Sequence, residues 1–338
     1  MKTPFRLHKS LPLSTALWIS LSLAAAHAQS FTNSEGIWYY TTDNGSAIIS
    51  EYYNNVSASL VTVPDNVNGL PVTGIGGSAF SSTPPGDITS VTLPDTITSI
   101  GVDAFSGSTI TNIVMDNSLT NIGISAFLNS SLVSVTVPGG VTVIGQGAFE
   151  NCTKLTSAVI ANGVTSIGSY MFSGCSSLTN IVLPGTITSI QPYAFDTCSH
   201  LTNVLIPSSV TSIEPYAFQG TSSLRGLYYL GNSPFATNFV FQFDSNLTNY
   251  YQSFTTGWSN SFDGFPTATW IPPLPALGIT TYNQQPVVLF PVTVIGTNYV
   301  LLMTTNLTSG NWVVVTNGVL FTGIQITNAP ANAFFQLQ

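Results

Sequence analysis

Apolar positions along most of this chain recur in a fixed register with a period of about 23 residues, a length typical of repeat architectures. Seven times an isoleucine is followed five residues later by a phenylalanine: Ile75/Phe80, Ile100/Phe105, Ile122/Phe127, Ile144/Phe149, Ile167/Phe172, Ile190/Phe195 and Ile213/Phe218. Each repeat also carries a short alternating run, as in the apolar Leu178, Ile181 and Leu183, with Asn180 and Val182 alternating with the last two. Alternation at period two predicts a strand. Pro184 closes that strand, and Pro64, Pro94, Pro138 and Pro207 hold the same column, because proline cannot donate to a ladder. The next apolar pair, Ile187 and Ile190, predicts a second and shorter strand.

Pro192-Tyr193-Ala194-Phe195 and Pro215-Tyr216-Ala217-Phe218 follow. Proline suits the first position of a helix, so one helical or 3₁₀ turn is expected on the outer side. Five of the seven repeats place Gly directly after the marker Ile (76, 101, 123, 145 and 168), which reads as a tight-turn preference. No single repeat can bury its Leu, Ile and Phe alone. Stacked repeats bury them in one continuous core, which is the physical meaning of a solenoid.

The segment Ser177-Leu-Thr-Asn-Ile-Val-Leu-Pro-Gly-Thr-Ile-Thr-Ser-Ile-Gln-Pro-Tyr-Ala-Phe-Asp-Thr-Cys198 resembles the BspA-type (Treponema-pallidum-type) leucine-rich repeat. The resemblance covers about residues 59–229. It departs where Met115-Asp116 and Ile160-Ala161 lack the strand-ending proline, and where Met171 replaces the usual Ala. It implies a β-rich α/β leucine-rich repeat solenoid of about seven repeats, each of roughly 22–25 residues, with a parallel sheet on its concave side. It also implies a secreted or surface protein, in a family linked to adhesion and protein binding.

The flanks complete the domain reading. Residues 1–28 have a basic start (Lys2, Arg6, Lys9), an apolar middle and Ala26-His27-Ala28, the pattern of a removable signal peptide. Residues 29–58 are expected to form a β cap, with Asp43-Asn44-Gly45 as its hairpin turn. The aromatic-rich residues 230–271 read as a C-terminal cap. Pro272-Pro-Leu-Pro275 sits in a stiff linker, 272–278. Residues 279–338 read as a small all-β domain with a role in sorting or attachment; strands are expected at 287–294, 299–305, 312–315 and 334–337, and turns at 306–310 and at Asn317-Gly318.

Charge narrows the partners. Without the leader, Lys154 and Arg225 stand against 13 carboxylates, a net charge of −11. Phosphate backbones need clustered cations, so nucleic acid is excluded as a partner. Enzyme chemistry also lacks its parts: His200 is the one histidine outside the leader, in a column otherwise held by Ser131, Lys154 and Ser177, so a nucleophile–base set has no candidate. No catalytic, cofactor-binding or metal-binding residue is assigned. Cys152, Cys175 and Cys198 recur once per repeat, far from metal-motif spacing; they read as a buried thiol ladder, with one disulfide and a free thiol as the alternative. Glu150 and Asp196 share a column too far apart for glycosidase work, and Asp65 and Asp95 read as solvated turn carboxylates.

What remains is surface. One outward column of the main sheet runs Ser90, Asn112, Ser134, Ser157, Asn180, Asn203, and the next runs Thr92, Val114, Thr136, Val159, Val182, Leu205, Tyr228. The apolar half, Val159, Val182, Leu205 and Tyr228 beside Asn180 and Asn203, is the candidate partner-binding stripe, since monomers rarely expose such a row; its other readings are ordinary strand preference of Val and Tyr and coverage by the tail domain. Non-enzymatic recognition of a surface or matrix protein is the expected function. The alternatives are a carbohydrate-binding module using Trp258 and Trp270 as a sugar platform, and a passive structural surface protein.

Overall fold

The computed structural model describes residues 29–54, 58–81, 88–236 and 239–270 with their side chains, and beyond them the backbone of six strands between 278 and 337. The expected leader and the residues of the proline linker up to 277 lie outside the described residues. The chain winds into a parallel β-solenoid of about eight turns. Each turn contributes a longer strand to one side and a two-residue strand to the next, in register with its neighbours. On the longer side Ser134–Val137, Ser157–Ile160 and Asn180–Val182 pair in parallel. So do Asn203–Ile206, Gly226–Tyr229 and Thr248–Tyr251. On the shorter side Ser166–Ile167, Ser189–Ile190, Ser212–Ile213 and Phe235–Ala236 do the same.

The marker phenylalanines are fully interior and stack face to face. Phe80, Phe105, Phe127, Phe149, Phe172, Phe195, Phe218 and Phe241 form one ladder, with centroid spacings from 4.7 to 6.0 Å. Its eighth rung, Phe241, lies beyond residue 229, within the segment read as a cap. Ala236 pairs with Ile213 and stands five residues before Phe241, so the last turn keeps the spacing and loses only the isoleucine that marks it. Cys152, Cys175 and Cys198 are buried free thiols. Each donates to the carbonyl of the preceding turn's phenylalanine at 3.1–3.2 Å, which is the expected thiol ladder.

The outer corner departs from expectation: among the described residues there is no helix. Two left-handed residues, four apart, recur turn after turn. The first column is Ser78, Asp103, Ser125, Gly147, Tyr170, Tyr193, Tyr216 and Phe239; the second is Gly107, Asn129, Asn151, Gly174, Thr197, Gly220 and Phe243, all with φ between 52° and 73°. These kinks split the amides into two sets. In the turn around Phe195, the amides of Ala194, Asp196 and Cys198 close local bonds to Gln191, Tyr193 and Phe195. Those of Tyr193, Phe195 and Thr197 go to the next turn, onto Pro215, Ala217 and Gln219. A helix would need all of them for itself. The Gly column after Ile has a different cause from the one expected. A Cβ at Gly145 would stand 2.3 Å from the Ile124 nitrogen, so glycine there allows successive backbones to approach.

Both ends carry hairpins. Gln29–Asn33, Gly36–Asp43 and Ser46–Tyr53 form the N-terminal cap, turning at Asn44 and Gly45 with φ 47° and 83°; Ser46–Tyr53 then pairs in parallel with Leu70–Ile75. The Glu35 carboxylate accepts the Thr62 amide at 2.7 Å. At the far end, Asp263 in the turn between Ser261–Phe262 and Phe265–Thr269 accepts the Phe241 amide at 3.4 Å. On this corner amides point toward the C-terminal end, so Asp263 stands where the next turn's carbonyl would be. Past the solenoid, Gly278–Tyr282, Gln285–Leu289 and Gly323–Gln325 form one antiparallel sheet, and Val313–Val319, Asn298–Thr304 and Phe334–Leu337 another. Asn317 and Gly318, read as a turn, lie inside a strand opposite Val300 and Tyr299: the neighbouring strand supplies a ladder that overrides the local turn preference.

Thr197 is β-branched and left-handed, an arrangement that costs an L-residue about 1–2 kcal/mol. Thr197→Gly is expected to raise stability by about 1 kcal/mol, net of glycine's backbone entropy, as read from the midpoint of denaturant unfolding.

Candidate functional site: the outer face of the longer-strand sheet

Alternation within each longer strand buries Val91, Ile113, Val135, Ala158, Ile181, Val204 and Leu227 and turns the residues between them outward. The two outward columns are in register as expected. Ser90 pairs with Asn112, Ser157 with Asn180, and Asn203 with Gly226. The amide of Asn112 donates to Ser90 Oγ at 3.1 Å and that of Asn180 to Ser157 Oγ at 3.2 Å, so the polar column is tied along the solenoid axis. Threonines one residue before the strands do the same work: Thr111, Thr156 and Thr179 donate their hydroxyls to the carbonyls of Thr89, Val133 and Thr156 at 3.0–3.1 Å.

The apolar column brings Val159 opposite Val182, and Leu205 opposite Tyr228. These side chains are half-buried rather than fully exposed, because in-register neighbours about 4.8 Å apart shield one another. Tyr250, which the sequence reading assigned to the cap, extends the row one strand further. It lies one repeat length after Tyr228, so the period itself was the signal for it. The Tyr228 and Tyr250 rings stack at 4.9 Å, and Trp270 meets Tyr228 edge-on at 4.9 Å. Burial, and after it the neighbouring Tyr250, push the Tyr228 phenol above its ordinary pKa. Gly226 makes room for this: a Cβ there would stand 2.7 Å from the Tyr228 ring. The polar column is therefore interrupted at Gly226 before Thr248 resumes it, and the aromatic side chain lies over bare backbone.

The two tryptophans do not share a platform. Trp270 joins the outward cluster, while Trp258 packs inward, 4.7 Å from Tyr229, 5.1 Å from Tyr251 and 5.6 Å from Phe262. Tyr228 and Tyr229 are successive strand residues on opposite faces, and the tryptophans follow them. His200 is exposed, its ring Nδ1 2.6 Å from the Ser176 carbonyl. Asp65 and Asp95 are exposed. Among the described residues no group of three or more His, Cys, Asp or Glu could hold a metal. The carboxylates of Asp196 and Glu150 are raised above their ordinary pKa, mainly by burial.

A family profile described as the BspA type leucine rich repeat region matches in six copies, over residues 26–156, 73–200 and 142–264. The chain belongs to the BspA-type leucine-rich repeat family. BspA-type proteins are bacterial surface proteins, and leucine-rich repeat proteins of this kind are typically non-enzymatic. Solved structures similar to this BspA-type chain include a leucine rich cell surface protein from Faecalibacterium prausnitzii, 29% identical with a TM-score of 0.48, covering 60% of this chain and 54% of its own. The chain thus spans about half the length of that protein. A leucine-rich repeat protein from Bacteroides ovatus is 22% identical over 65% of this chain and 70% of its own, TM-score 0.41. The Treponema pallidum leucine rich repeat protein is 24% identical over 66% and 86%, TM-score 0.40. No curated protein matches. Among the described residues no helix is long and apolar enough to cross a membrane.

Asp244 occupies the column of Cys152, Cys175, Cys198 and Thr221. Its Oδ2 lies 2.9 Å from the Thr221 hydroxyl, and its Oδ1 is buried without a partner. Burial, against that hydrogen bonding, raises its pKa from 3.8 to about 7. A carboxyl with a raised native pKa binds its proton more tightly folded than unfolded, so it contributes stability at low pH that is lost as pH climbs from about 4 to about 7. The melting temperature is expected to fall between about pH 4 and pH 7, and Asp244→Asn to remove most of that fall; a pH series of thermal melts on the two proteins reads both.

Proposed function

We propose that this protein recognises another protein at a bacterial surface or in a surrounding matrix, without catalysis, through the outer face of its longer-strand sheet. The observation that carries the reading is the half-buried apolar row Val159, Val182, Leu205, Tyr228 and Tyr250, beside the tied polar column of Asn180 and Asn203. Flat, rigid and largely uncharged, the face offers preorganised contact area and loses little ordering entropy on binding. Tyrosine and tryptophan at one end supply the aromatic anchors that dominate interface energetics. Export by a removable signal peptide, placing the mature chain outside the cell, is part of the same proposal.

A second reading has its own observation. The Tyr228, Tyr250 and Trp270 cluster, with hydroxyls and amides beside it, is chemistry that also suits a neutral polysaccharide. It replaces the Trp258–Trp270 platform expected from the sequence, since only Trp270 faces outward.

The test offers the mature protein, and its Val182→Glu/Leu205→Glu and Trp270→Ala variants, to surface-protein extracts and to polysaccharides. Both glutamates would project outward, so the fold is expected to be kept, with melting lowered modestly by like charges on neighbouring strands. A protein retained by wild type and lost about tenfold or more by the double variant supports the proposal. Polysaccharide retained by wild type and lost with Trp270→Ala favours the second reading. Retention of nothing by any of the three contradicts both and leaves a passive structural role.

A further inference from the structure

The C-terminal end of the solenoid breaks two rules that the rest of the molecule keeps. First, Phe235, Phe239, Phe243 and Phe254 are 68%, 56%, 76% and 78% exposed, although the marker rings are interior. Second, Phe243 occupies the second left-handed column, held elsewhere by glycine, asparagine or threonine, at φ 70°; Phe239, at the same φ, continues the first column after Tyr216. A bulky residue in that region is strained; the Phe239 ring keeps a stack on Tyr216 at 5.9 Å but stays more than half exposed, and the Phe243 ring is three-quarters exposed. Phe239 and Phe243, with Phe265, Asp244 and Asp263, line a cleft of about 440 Å³.

The segment that follows has the opposite deficiency. Residues 264–338 contain no Asp, Glu, Lys, Arg or His, where an average chain of that length would carry charge at about a quarter of its positions. Its two three-stranded sheets therefore have edges unguarded by charge, a liability in a free domain. Some 60 residues make a marginal core alone. Strand Phe265–Thr269 lines the cleft and leads directly into the seven residues 271–277, three of them proline. Such a short tether holds the two parts at millimolar effective concentration.

We propose that the uncharged C-terminal β domain docks on the phenylalanine-lined end of the solenoid, covering Phe239, Phe243 and Phe254. The strained, exposed rings then gain burial, and the uncharged module gains the apolar partner that its size demands. The docking site uses residues distinct from the Val159, Val182, Leu205 row of the sheet face.

The experiment uses the full chain and its Phe243→Asp/Phe254→Asp variant. Hydroxyl-radical footprinting of dilute wild type is expected to label Phe243 and Phe254 several-fold more slowly than a solvent-exposed phenylalanine. Cleavage within residues 271–277 under limited proteolysis is expected to be about tenfold faster in the variant, with the solenoid's melting unchanged. Full labelling of these rings in wild type overturns the proposal. So does protection that grows with protein concentration, because a second copy would then be the cover. Equal cleavage of a folded variant and wild type overturns it as well. Should the variant fail to fold, the wild-type footprint decides alone.

Discussion

Everything in this solenoid depends on how the outer corner divides its amides. Two left-handed residues per turn aim alternate N–H groups at the next turn and leave the others to close local turns. A buried amide left unpaired costs about as much as a lost hydrogen bond, so each turn is completed only by its successor. That requirement fixes the spacing of the turns, and the spacing stacks the phenylalanines inside and holds the outward columns in register on the sheet. The core and the candidate site follow from one backbone arrangement.

The dependence leaves corner amides open at the C-terminal end, where a carboxylate answers them; at the N-terminal end a second carboxylate serves the edge of the longer-strand sheet. Glu35 accepts the Thr62 amide from one hairpin turn and Asp263 accepts the Phe241 amide from another. Burial raises the Asp263 pKa, and the amides of Phe241, Val240 and Phe239 work against that rise. Its cost is offset by the donors it satisfies. These are two of only 13 acids in the chain, placed where a strand edge would otherwise stay open.

The solenoid, its period and its buried residues were legible in the sequence because they repeat: a column of Phe, Ile or Cys has one physical reading when copied turn after turn. The outward register was legible for the same reason. The left-handed columns were not. Gly107, Asn129, Asn151 and Gly174 hint at one, but Tyr170, Tyr193 and Tyr216 hide the other, since propensity argues against tyrosine there and neighbouring turns impose it. The helix expected after Pro192 failed on the same point: the amides it needed belong to the next turn. Tyr250 and Phe241 were missed because the marker isoleucine had become Ala236, although the period carried on. The separation of Trp258 from Trp270 depends on which face of a strand each follows, which composition cannot show.

Native-state hydrogen exchange on the mature protein tests the central claim most directly. The inter-turn amides of Phe105, Phe127, Phe149, Phe172 and Phe195 are expected to exchange only through cooperative unfolding of the solenoid, and to keep the slowest rates of the outer corner. Those of Ser106, Leu128, Asp196 and their equivalents, which close single local turns, are expected to exchange faster through local opening. Uniform exchange of both sets, as along a helix, would contradict the division of amides on which this structure is built.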